Sequence, residues 1–98
     1  LMGIAGTLTG CGPAFIDLVI EALGDAGVKY GVPRAQAYAL VSQMILGSAK
    51  LQMETADHPG LLKDNFCSPA GTTIRGVAAL ERAGLRAAFL DAVDGIME

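Results

Sequence analysis

The run Lys63-Asp64-Asn65-Phe66-Cys67-Ser68-Pro69-Ala70-Gly71-Thr72-Thr73 gathers amides, hydroxyls and glycine where a short break opens onto a helix. The first-turn N–H groups of a helix have no partner inside it. The macrodipole adds roughly half a positive charge at the same end, so a carboxylate or phosphate is a natural occupant. Ser68, Thr72 and Thr73 can add hydroxyl donors. Taken on residues alone, the plainer reading is Ser68 as an N-cap with Pro69 at the first helical position.

Other chemistry-bearing residues are sparse. Gly10-Cys11-Gly12-Pro13 reads either as a thiol at a helix start, where a thiolate is favoured, or as a small residue in a tight turn. Cys11 and Cys67 lie far apart in sequence without metal-ligand spacing, and the single histidine, His58, has no companion, so zinc is not expected and both thiols are read as reduced. His58, next to Pro59, is read as a surface or capping residue. The carboxylates mostly line the wet edges of helices, which leaves few candidates for general acid or base work. No Gly-x-Gly-x-x-Gly follows a strand, so no self-contained nucleotide fold is expected.

The elements that must position these residues read as helices throughout. Residues 1–12 carry glycine at 3, 6, 10 and 12 and suit a hinge or linker, with Pro13 opening a first helix to Tyr30. Its apolar positions Phe15, Leu18, Val19, Ala22, Leu23 and Ala26 follow helical spacing. Asp17, Glu21, Asp25 and Lys29 form one narrow polar edge, and Gly24 and Gly27 suggest close helix approach. Pro33 opens a second helix to about Glu54, apolar over Ala37, Leu40, Val41, Met44, Ile45 and Leu51. Its pattern suits the centre of a bundle shared by two chains, or of a monomeric one. A short helix follows Asp57-His58-Pro59 and ends near Asn65. Another runs to about Arg82, Gly84 stops it, and Leu85 to Met97 forms the last. No strand is expected; the class is all-α.

Composition sharpens this. The 98 residues are 52% hydrophobic and 17% charged, against a usual charged share of about 25%. So small a domain cannot hide that much apolar surface alone, and the surplus should be buried against another copy or another part of the same polypeptide. A net charge of −3 with seven scattered basic residues leaves no footprint for nucleic acid or anionic lipid. The uncharged stretch Ala35 to Ala49 is too short to span a bilayer, and no basic-then-apolar leader opens the chain. A soluble, cytoplasmic protein is expected.

Three motifs carry a resemblance. Thr9-Gly10-Cys11-Gly12-Pro13-Ala14 stands where the pyrroline-5-carboxylate reductase family usually reads Ser-Gly-Ser-Gly-Pro-Ala. Glu21 to Lys29 is followed by Gly31-Val32-Pro33-Arg34. His58-Pro59 precedes Lys63-Asp64-Asn65 and Ser68-Pro69-Ala70-Gly71-Thr72-Thr73, close to the family's Ser-Pro-Gly-Gly-Thr-Thr. Residues 7–98 thus resemble the C-terminal domain of that enzyme, which performs the last step of proline biosynthesis.

The resemblance implies that residues 1–9 are a linker from an N-terminal Rossmann domain that binds NADPH or NADH. Residues 10–98 would be a helical domain that interlocks with its twin as a homodimer, with higher assemblies open. It places the substrate carboxylate at Ser68, Gly71, Thr72 and Thr73, with the Thr73 hydroxyl facing the ring nitrogen of a cyclic imine as the catalytic group. Gly12 and Pro13 would turn toward the nicotinamide. Ala70 departs from the family's glycine, which matters where that position needs positive φ or close approach. Cys11 departs from the common serine. A non-catalytic association module and a related cyclic imine reductase are the alternative readings.

Overall fold

The computed structural model describes residues 3–98. It comprises α1 (Ile4–Lys29), α2 (Arg34–Thr55), α3 (Pro59–Asn65), α4 (Thr72–Arg82) and α5 (Leu85–Met97), with no strand among the described residues. The expected all-α class is correct. The helices divide into two compact units, Leu1–Thr55 and Ala56–Glu98.

The first unit is the α1–α2 hairpin. Its turn is a Schellman motif: the Gly31 N–H donates to Val28 O at 3.0 Å and the Val32 N–H to Gly27 O at 3.0 Å. Gly31 sits at φ 101, which a side chain would strain. The two helices meet at small residues. A Cβ at Gly27 would stand 3.3 Å from that of Ala37, and Ala37 is only 3% exposed. Gly24 is buried beneath the Tyr38 ring. Both glycines therefore mark close helix approach, as their spacing predicts.

The start of α1 corrects the sequence reading. Ile4–Thr9, expected as linker, is helical, and Pro13 stands inside the helix. Proline's fixed φ is compatible with a helix; what it removes is the N–H that would bond the carbonyl four residues back, here Thr9. The Thr9 hydroxyl donates to Ala5 O at 3.1 Å along the same stretch. Thr7 is 1% exposed, so this turn of α1 is packed.

At 26 residues α1 spans about 39 Å, and by length and composition it is apolar enough to cross a membrane. Residues 35–49 of α2 do not meet that test, and among the described residues α1 is the one helix that does. The charged edge at Asp17, Glu21, Asp25 and Lys29 interrupts the apolar surface of its second half.

In the second unit the His58 Nδ1 accepts the Gly60 N–H at 2.9 Å and caps α3, the capping role expected for it. α4 packs on α5 across a break at Ala83 and Gly84, the latter left-handed at φ 83. Neither unit encloses its apolar side chains. Leu18, Leu40, Leu46 and Met53 in the first and Phe66, Leu80 and Leu90 in the second are all at least half exposed. Burying such a side chain is worth about 1.5–3 kcal/mol, so surface of this extent marks an association face.

Candidate functional site

The Ser68–Thr73 segment is a β-turn feeding α4. The Gly71 N–H donates to Ser68 O at 3.0 Å. Pro69 occupies the second turn position and Ala70, at φ 58, the third. Proline second and a left-handed residue third is the type II pattern, which ordinarily calls for glycine at the third place. Ala70 is one of two positive-φ residues other than glycine among the described residues, the other being Ala56.

Ser68 is not the N-cap of α4. That place belongs to Gly71, at φ −77 and ψ 175, and Pro69 lies outside the helix. Ser68 folds back over Gly71 instead: a Cβ at Gly71 would meet Ser68 Oγ, which rotation can move, and would stand 3.1 Å from Ser68 O. Gly71 has no side-chain oxygen to offer, and no side chain caps the first turn of α4. That turn carries no acidic residue, and Arg75 follows within it. Ser68, Thr72 and Thr73 are exposed and Gly71 is half-buried. The four residues expected to hold a carboxylate thus lie in the turn and the first two positions of α4.

Gly12 and Pro13 are not in a turn. Both lie within α1, and a Cβ at Gly12 would meet nothing within 4 Å. They form helix surface, and among the described residues no strand supplies a dinucleotide cradle. Cys11 and Cys67 are free thiols, both half-buried, and no group of three or more His, Cys, Asp or Glu gathers a metal site among the described residues.

A shallow groove between α1 and α2 is lined by Asp17, Ile20, Glu21, Tyr38 and Ser42. Beside it Arg34 Nη1 donates to Asp25 Oδ1 at 2.5 Å and to the Tyr38 hydroxyl at 2.8 Å, with its guanidinium 5.6 Å from the Tyr38 ring centre. The Asp25 bond first, and the Tyr38 contact second, hold the Arg34 guanidinium above its ordinary range. This network fastens the two helices. The sequence signal for it is the interval between Asp25 and Arg34 across the Gly31 turn.

A family model described as "Pyrroline-5-carboxylate reductase dimerisation" matches residues 1–98. The chain belongs to this family. The pyrroline-5-carboxylate reductase of Treponema pallidum is 57% identical over 90 residues, covering 92% of the chain and 34% of that protein. The Escherichia coli K12 enzyme of the same name is 50% identical over 91 residues, covering 93% and 34%. Among solved structures, the Plasmodium falciparum pyrroline carboxylate reductase with NADP bound superposes with a TM-score of 0.89 at 40% identity, over 94% of the chain and 37% of its own. The chain therefore spans about a third of the length of these relatives. As a pyrroline-5-carboxylate reductase dimerisation domain, it has a reason to leave apolar helix faces uncovered within one copy.

Proposed function

We propose that this chain is the dimerisation and substrate-carboxylate domain of an oxidoreductase that reduces 1-pyrroline-5-carboxylate to L-proline with NADPH or NADH. The observation that carries the reading is the convergence of Ser68, Gly71, Thr72 and Thr73 at the uncapped start of α4 in a member of this family. A small cyclic imine acid presents one carboxylate and one reactive C=N bond, and the helix start suits the first. As the C=N bond is reduced, its electron pair moves onto the ring nitrogen, where a proton is taken up. The Thr73 hydroxyl, at the second position of α4, donates a hydrogen bond there and orients the ring. Such a reaction needs positioning and charge compensation more than a strong base.

The cofactor belongs mainly to an N-terminal Rossmann domain of a longer parent polypeptide, a reading supported by relatives of which this chain spans about a third. Gly12 and Pro13 border that cofactor from α1, and residues 1–9 are the linker from that domain, helical over residues 4–9. The apolar helix faces bury against a second copy, giving a homodimer. The charged edge of α1 and its packing on α2 favour a protein partner over lipid for that helix, consistent with a cytoplasmic enzyme.

The test is cofactor oxidation by the parent protein with 1-pyrroline-5-carboxylate and with its 2-carboxylate isomer. Faster turnover of the 5-carboxylate is expected. Preference for the isomer would make it a related cyclic imine reductase, and no turnover of either would make it an association module.

A further inference from the structure

The acidic edge of α1 is compensated at one end only. Asp25 is held by Arg34 at 2.5 Å, and Lys29 turns to the Tyr30 ring, 5.7 Å from its centre. Among the described residues Asp17 and Glu21 make no ion pair. Both are exposed, and like charges four apart on a helix repel. They line the groove whose opposite wall is Tyr38 and Ser42 of α2. Tyr38 is fixed there, its ring edge against Gly24 and its hydroxyl accepting from Arg34 at 2.8 Å. A fixed aromatic ring beside two uncompensated carboxylates suits a guanidinium.

The second unit carries the complement. Lys63 pairs with Asp64 at 3.2 Å and Arg86 with Glu81 at 2.9 Å, whereas Arg75 and Arg82 of α4 have no carboxylate partner among the described residues. Both arginines are exposed. Seven residues apart, they lie on one stripe of the helix, about 10 Å from each other along its axis. Ala79, also exposed, stands between them on that stripe and is small enough to let another helix approach.

We propose that the α1–α2 groove of one copy receives the Arg75–Arg82 stripe of α4 from a second copy, so that the acids of each protomer are neutralised by arginines of the other. The inference rests on the homodimer reading given above and adds which surfaces meet. A second copy is favoured as the occupant because the family is one of dimerisation domains. The groove also runs into an apolar face, for Tyr38 and Ser42 share helical spacing with Val41 and Ile45 on α2. The charges match within this one sequence, two uncompensated acids against two uncompensated arginines. A two-fold axis makes each such contact twice. Asp17 and Glu21 would repel nucleic acid or an anionic membrane from the same groove.

The experiment uses two variants of the parent protein, one carrying Asp17→Arg with Glu21→Arg and the other Arg75→Glu with Arg82→Glu. Each alone sets like charges across both copies of the contact. Self-association, read by sedimentation equilibrium and by subunit exchange between fluorescently labelled pools, should weaken by about tenfold or more in each. Mixed one to one, the two variants set opposite charges across both contacts and should form a heterodimer within about threefold of wild-type affinity. Mixing could not repair a contact made within one chain, nor a loss of folding. Variants that self-associate as wild type does, or a mixture no tighter than its components, would overturn the inference. A wild-type parent protein that sediments as a monomer would instead remove the homodimer reading itself, a distinct result.

Discussion

The backbone of Gly24 lies close against the Cδ1–Cε1 side of the Tyr38 ring: a Cβ at position 24 would collide with both atoms. Glycine in mid-helix ordinarily costs about 1 kcal/mol against alanine, and here close approach of α1 and α2 is what that cost secures. Gly24→Ala should push the Tyr38 ring away and break its contact with Arg34, destabilising the protein by about 1–2 kcal/mol despite the better helix propensity. Urea unfolding checks this; a more stable variant would show the ring free to move at no cost.

The Arg34 network should be insensitive to pH over the working range. A guanidinium raised by Asp25 and Tyr38 contributes stability that is fully present below its ordinary unfolded value and is lost only as pH rises through the still higher folded value. The stability difference between wild type and Arg34→Gln should therefore show no Arg34-linked loss as pH rises from 6 to 9. A decline across that window, measured by denaturant midpoints, would assign the network a different electrostatic role.

Much of this fold was legible in sequence because its punctuation is local. Gly31 and Gly84 stop helices for reasons carried by single residues, and His58 caps α3 within two residues of itself. Where the reading failed, the cause was tertiary. Pro13 ordinarily marks a helix start, yet α1 continues through it despite the lost hydrogen bond and the crowding of its ring against the Thr9 carbonyl, with Thr7 buried in the turn upstream. The N-cap at Gly71 in place of Ser68 depends on a fold-back that no spacing rule encodes. The Ser68–Thr73 turn was visible as a motif; that its third position takes a positive φ became visible only in the backbone.

Thr73→Val in the parent enzyme removes one hydroxyl while keeping the side chain's shape. Turnover should fall by about tenfold to a hundredfold, in line with losing a positioned hydrogen bond in a reaction step, with the dimer unchanged. Steady-state kinetics beside sedimentation velocity decide it. Unaltered kcat would remove Thr73 from the chemistry.

Val41 and Ile45 sit half-buried on α2, among the exposed apolar residues Leu40 and Met44. A lysine at either place should weaken assembly by about 3–5 kcal/mol if a second copy covers this face, because the charge would be buried unpaired. Sedimentation equilibrium of Ile45→Lys checks it, and an undiminished dimer would show that α2 is not central to the interface.

The most direct test is a crystal structure of the parent protein with L-proline bound. The account predicts two copies joined through their helical domains, with the proline carboxylate at the N-terminus of α4 beside Thr72 and Thr73 and Ser68 folded toward it. Proline seated away from that turn, or helices whose apolar faces meet no second copy, would contradict it.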